Sequence, residues 1–195
     1  ISCTVDHLGE FVSSKVEATQ AKKNIIETLE TIHKEGLDCH LSVKLTQLGL
    51  DIEQAFCMAA MEEILDAAKK YDIFVNIDME NYSRYQHTLD ILHELRKKYD
   101  NIGTVIQAYL YRAQQDLESL KGVRIRIVKG AYKENQTIAY QTKKEIDANF
   151  LAIAKKRLLG DTFTSIATHD HRIIHELKQF IKENHIDHDK FEFQM

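Results

Sequence analysis

The chain has 195 residues, 44% apolar and 29% charged, with a formal net charge of −4. That is enough for one domain with a sizeable core, and the acidic balance, with no basic stripe interleaved with aromatics, excludes a nucleic-acid surface. No apolar run is long enough to span a bilayer and no signal peptide is read; the three cysteines, Cys3, Cys39 and Cys57, lack metal spacing and read as small buried hydrophobes in a reduced compartment.

Taken in chain order, apolar runs of strand type fall at residues 1–5, 39–45, 73–77, 103–108, 123–128, 163–167 and 191–195. Amphipathic segments of helical spacing lie between them. The clearest spans 51–71, with Phe56, Ala60, Ile64, Ala67 and Tyr71 on one face and Asp51 with Gln54 as a capping box. Gly36 and Gly122 follow lysine-bearing helix ends, as C-terminal caps do. No linker, low-complexity tract or composition break interrupts the alternation.

Repeated βα units predict an α/β fold with a parallel sheet and helices outside it. A TIM-type (β/α)8 barrel fits better than a doubly wound open sheet, because no G-x-G-x-x-G follows the first strand. Seven strands do not close such a barrel. The expectation is therefore a single barrel domain over 1–195, incomplete, with seven of eight βα units and truncated at the C-terminus.

In such a fold, polar residues at the carboxyl ends of strands are the site candidates. The first strand ends in Asp6-His7-Leu8-Gly9-Glu10, the second at Lys44, the third at Asp78 and the fourth at Gln107. The fifth ends at Arg126 and Lys129, and the sixth at Thr168-His169-Asp170. Each has a plainer reading. Lys44 could simply reach water, Asp78 could cap a helix, and residues 168–171 read better as a cap than as a metal site. Gln107 and Arg126, polar inside apolar strands, are harder to dismiss, since a buried amide or guanidinium needs partners. Arg126, with Lys129 and the backbone freedom of Gly130 just after it, points to an anion or an acceptor-rich ligand.

These residues carry a resemblance. The string RIVKGAY (126–132) is similar to the signature of the FAD-dependent proline dehydrogenase family, in its bacterial monofunctional form. So are DHLGE (6–10), SVKL (42–45), IDMENY (77–82), VIQAY (105–109), ATHD (167–170) and FEFQM (191–195), in family order and spacing across essentially the whole chain. The resemblance implies a (β/α)8 barrel holding FAD at its carboxyl face. It implies oxidation of L-proline to Δ1-pyrroline-5-carboxylate by hydride transfer to flavin N5, with electrons passed to a quinone.

Carried over motif by motif, Arg126 lies near flavin N5 and Gln107 bonds the ring. Lys129, Gly130, Ala131 and the backbone of Met79 line the FAD. Thr168 and His169 meet its ribityl or phosphate part, and a further basic contact falls at Lys143 or Lys144. Lys44 and Asp78 face the substrate, Tyr132 lies near the proline ring, and Glu10 matches the acidic partner of an ion-pair gate. Asp78 and Arg126 are the catalytic assignments. The family's tandem arginines, its acidic FAD contact and its preceding helical arm have no match in these residues.

The resemblance implies a cytoplasmic protein, with peripheral association at the inner face of a membrane and self-association through open barrel edges left open. Two other readings remain: a Schiff-base aldolase using Lys44 or Lys129, and a catalytically inactive barrel fragment.

Overall fold

In the computed structural model, which describes residues 2–195, all seven strand-type runs hold strands. They are β1 (Cys3–Asp6), β2 (Cys39–Val43), β3 (Val75–Ile77), β4 (Ile102–Gln107), β5 (Ile125–Val128), β6 (Thr164–Ala167) and β7 (Phe191–Gln194). Six helices alternate with them: α1 (Lys15–Lys34), α2 (Gln54–Lys70), α3 (Tyr82–Leu95), α4 (Ala113–Asp116), α5 (Lys143–Leu158) and α6 (His171–Glu183). Ile1, read as the start of the first strand, lies outside the described residues. The chain forms two compact units, Ile1–Gly103 and Thr104–Met195, with the division inside β4.

In the first unit β1, β2 and β3 pair in parallel. Asp6 stands opposite Ser42, and Val43 opposite Ile77. Leu41, Val43, Val75 and Ile77 are buried, as expected of strands covered by crossover helices. Helix α1 starts at a complete capping box, the Ser14 hydroxyl accepting from the Glu17 amide while the Glu17 carboxylate accepts from the Ser14 amide. Such a cap is worth about 1 kcal/mol. The helix buries Ala18, Ala21, Ile25, Leu29 and Ile32 at helical spacing. Gly36, at φ 61°, ends it as the sequence predicts.

Helix α2 differs from its sequence reading in two respects. Its N-cap is Glu53, without a side-chain cap bond. Asp51 lies too far upstream to cap, and instead takes a fork of hydrogen bonds from Arg84 at 2.8 and 2.5 Å. The buried stripe is Cys57, Ala60, Met61, Ile64, Leu65 and Ala68. It is centred about one residue later than the predicted face, because Met61, Leu65 and Cys57 add a second apolar row. Phe56, Ala67 and Tyr71 are left half-buried at the margin.

In the second unit β4 to β7 form a parallel ladder, Val105 to Arg126 to Ser165 to Glu192 across one register row. Strand β5 is buried on one face only. Ile125 and Ile127 are buried, while Arg126 and Val128 alternate with them and are half-buried. The period of two puts Arg126 and Val128 on the more open face, so the strand is not buried throughout. Helix α5 is tied down by two buried polar residues that the sequence reading passed over. Asn149 donates to the Ala108 carbonyl at 2.6 Å, and Arg157 donates to the Val123 carbonyl at 2.8 Å.

The cysteine reading holds for Cys57 alone. Cys57 is buried and its thiol is pushed up to about 12, first by burial and then by the Glu80 charge. Cys3 is exposed and Cys39 half-buried, because they begin adjacent strands at the amino-end rim.

Candidate active site

In the first unit, the carboxyl ends of β1, β2 and β3 converge on one ammonium group. Lys44, the residue after β2, forms ion pairs with Asp6, with Asp78 at 3.1 Å and with Glu10 at 3.5 Å. Parallel register produces this meeting. Asp6 ends β1, Asp78 follows β3, and the Asp78 amide extends the ladder by donating to the Val43 carbonyl at 2.9 Å. The Lys44 side chain is only 15% exposed. Burial opposes its charge, but the Asp6 hydrogen bond and the Asp78 and Asp6 charges outweigh it and hold the ammonium well above the usual lysine range.

Glu10 is held below the usual carboxylate range, first by its own backbone amide and then, against partial burial, by Lys44. Asn76 donates to the second oxygen of Asp78 at 3.1 Å and fixes that carboxylate's orientation.

This geometry decides two of the sequence alternatives. Lys44 does not merely reach water. Asp78 is not a helix cap, since Asn81 occupies the N-cap of α3. Lys44 and Asp78 meet as expected of residues ending adjacent strands. Asp6, a strand-end candidate to which the sequence assigns no role of its own, is a direct partner of Lys44. Met79 is buried beside them. One ammonium among three carboxylates leaves this end formally anionic. The arrangement suits a ligand that brings its own cationic nitrogen and a carboxylate for Lys44.

In the second unit the corresponding strand ends carry mostly donors. Gln107, the last residue of β4, is 2% exposed, and Thr168, just after β6, is 8% exposed. Arg126 is half-buried within β5, and His169 is exposed. Thr168 and Asp170 also shape the chain, the Thr168 hydroxyl accepting from the Asp170 amide and Asp170 capping α6 through the Arg172 amide, both at 3.1 Å. The capping reading of residues 168–171 is therefore correct for Asp170.

Gly130 sits at φ 117°, and a Cβ there would lie 2.5 Å from the Tyr109 ring. Only glycine permits both that backbone conformation and that ring contact. Ala131 beyond it is exposed and Tyr132 half-buried.

Lys129 sits in an ion-pair square. Its ammonium bridges Asp147 at 2.6 Å and Asp170 at 2.8 Å, and Lys143 bridges the same two acids, reaching Asp170 at 2.6 Å. The square ties the end of β5 to the first turn of α5 and the cap of α6. Hydrogen bonds from Lys129 and then Lys143 hold Asp170 far below its usual range. For Asp147, burial is outweighed by the same two lysines.

A test follows from Asp170→Asn, which keeps a good cap and removes the charge. A carboxyl whose folded pKa is depressed contributes stability above its unfolded value, about 3.9, and loses it as pH falls through the folded value. The variant is expected to be less stable by on the order of 1 kcal/mol at neutral pH, discounted because Lys143 is exposed. The gap should close below about pH 4 and narrow with salt. Equilibrium denaturation across pH checks this; a gap independent of both pH and salt would contradict the ion-pair origin.

Asp147 and Asp170 are matched by lysines, and the strand ends beside them also carry the amide of Gln107, the guanidinium of Arg126, the hydroxyl of Thr168 and the imidazole of His169. This donor set fits a heteroaromatic ring rich in acceptor atoms together with an anionic tail, as a flavin dinucleotide has. Beside it, Glu192 of β7 accepts from Ser165 at 2.6 Å and from Gln194 at 2.7 Å. The sequence reading placed Glu192 only within a motif.

The family model described as proline dehydrogenase matches residues 1–195. The chain belongs to the proline dehydrogenase family. It is 47% identical to proline dehydrogenase 2 of Bacillus subtilis (strain 168) over 197 residues and 36% identical to proline dehydrogenase of Deinococcus radiodurans over 202 residues. All of the chain is covered in both matches, and it spans 65% of the length of each relative.

Among solved structures, proline utilization A (PutA) from Bdellovibrio bacteriovorus inactivated by N-propargylglycine matches with a TM-score of 0.87 at 26% identity. That match covers all of this chain and 25% of the other. The fold class is thus α/β of the (β/α)8-barrel type, as the repeated βα pattern predicts. Among the described residues, no helix is long and apolar enough to cross a membrane.

Proposed function

We propose that the protein is an FAD-dependent proline dehydrogenase that oxidises L-proline to Δ1-pyrroline-5-carboxylate and passes electrons to a quinone. The observation that carries this reading is the Lys44 cluster, in a chain whose family match spans every residue. Lys44 addresses the substrate carboxylate. Asp78, held by Asn76, addresses the ring nitrogen together with the negative field of Asp6, and Glu10 adds the acidic group of the β1 loop.

On the cofactor side, Gln107 and Arg126 hold the flavin ring, with Gly130, Ala131 and the Met79 backbone along it, and Thr168 and His169 contact the ribityl or phosphate part. Lys129, anchored by Asp147 and Asp170, fixes the start of the loop that leads to Tyr132, which lies near the substrate ring. When bound, the flavin supplies the hydride-accepting chemistry. The protein's part is to orient the amino acid, exclude water and stabilise developing charge.

The aldolase alternative asks for a neutral lysine nucleophile. Lys44 is the reverse, an ammonium reinforced by three carboxylates, and Lys129 is engaged by two more. Turnover assays on the intact protein with FAD separate the readings. L-proline is expected to reduce an artificial dye acceptor. Borohydride trapping of a carbonyl substrate on lysine, without dye reduction by proline, would overturn the proposal.

A further inference from the structure

The loop of residues 7–11, which carries Glu10, is not held by burial of its own side chains. Leu8 is 77% exposed and Phe11 52% exposed. Its backbone takes left-handed φ values at Gly9 (144°) and Phe11 (61°), a conformation that non-glycine residues adopt only when something enforces it.

What enforces it is a set of buried polar side chains from the corner after Lys44. Gln47 donates through Nε2 to the His7 carbonyl at 2.7 Å, and the Phe11 amide donates to the Thr46 hydroxyl at 3.3 Å. The two anchors bracket Glu10. Thr46 is in turn held by Glu80, its hydroxyl donating to Oε2 at 2.5 Å and its amide to Oε1 at 3.1 Å. Thr46, Gln47 and Glu80 are each at most 2% exposed.

The direction of these bonds matters. A hydroxyl has one proton and two lone pairs. Donation to Glu80 turns the Thr46 oxygen so that a lone pair faces the Phe11 amide. Glu80 thus acts on the loop through Thr46. A Cβ at Gly9 would sit 3.3 Å from the Gln47 amide nitrogen, so the loop also rests closely on that side chain. Burying polar groups is costly unless they are hydrogen-bonded, and here their bonds go to the backbone of an exposed loop. Lys44 lies two residues before Thr46, so the same corner sets both sides of the 3.5 Å Glu10–Lys44 pair.

We propose that Thr46 and Gln47, backed by Glu80, are positioning residues that hold the loop of residues 7–11 with Glu10 in reach of Lys44, and so set the affinity for the amino-acid substrate. The inference rests on the proline-oxidising reading for its kinetic consequence, and on geometry alone for the anchoring.

Thr46→Val and Gln47→Met remove the anchors while preserving shape, and Thr46→Ser restores the hydroxyl. In hydrogen exchange on the intact protein, the amides of the loop are expected to exchange about fivefold or more faster in the Val and Met variants, the loss of one hydrogen bond. Thr46→Ser should match wild type, which also controls for folding. KM for L-proline should rise about fivefold with kcat within about twofold, since a positioning loss falls on binding.

Unchanged exchange in both variants would overturn the anchoring. A loosened loop with unchanged KM, or a Ser variant as impaired as the Val variant, would overturn the positioning role. Wild-type protein that does not oxidise proline would remove the functional reading and the kinetic role with it, while exchange still decides the anchoring.

Discussion

Arg126→Ala is expected to lower the limiting rate of flavin reduction at saturating proline by about 10²-fold, with a much smaller change in proline affinity. Hydride arrival places negative charge on an acceptor ring. A fixed guanidinium meets that charge without reorganising, which in comparable electrostatic roles is worth about 3 kcal/mol. Arg126 is suited to this by its place in the sheet. It stands in register between Val105 and Ser165, held by strands on both sides, rather than on a mobile loop. Arg126→Lys keeps a charge but loses the planar fork, and should fall between the two. Stopped-flow reduction measures the limiting rate directly; an unchanged rate in the alanine variant would remove Arg126 from its assigned role.

Lys44→Met should show the complementary pattern, a rise of about 10²-fold in the apparent proline dissociation constant, from losing one partner of a desolvated charge pair. The substrate carboxylate loses its cation, and Asp6, Glu10 and Asp78 are left facing one another. The pH dependence of stability should change as well. In wild type the raised Lys44 pKa contributes stability that is complete below the unfolded value of about 10.4 and lost only as pH rises through the still higher folded value. In the variant, three carboxylates crowded without a cation repel one another and take up protons more readily than in the unfolded chain, so its deficit should be largest at neutral pH and be relieved as pH falls toward about 4. Proline titration of flavin reduction and denaturation at two pH values check these outcomes. Unchanged affinity would show that Lys44 does not hold the substrate.

The strand order was legible because each strand is a short apolar run between polar helices, a local property. The ends of β2 and β3 could be read as a site for the same reason: Lys44 and Asp78 follow adjacent strands, and parallel register brings them together. What was not legible depends on distant partners. Asp51 resembles a helix cap by spacing alone, and only the position of Arg84 shows why it is not one. The predicted face of α2 missed Met61 and Leu65, because a wide stripe has no single phase.

Lys129 gave no sign in sequence of Asp147 and Asp170, which belong to α5 and the cap of α6. Thr46, Gln47 and Glu80 were invisible as a group. A threonine, a glutamine and a glutamate scattered over 35 positions acquire a joint role only when the turn after β2 and the end of β3 are packed together. Glu80 illustrates the cost of that packing, its carboxyl pushed upward by burial against the two bonds from Thr46.

The central claim is that this chain's residues hold a flavin and deliver proline to it. Its most direct test is the absorption spectrum of the intact protein with FAD under anaerobic conditions, before and after L-proline is added. The expected result is a protein-bound flavin spectrum that bleaches on addition of L-proline and is restored by a quinone. A protein that carries no flavin, or a flavin that stays oxidised in excess proline, would contradict it.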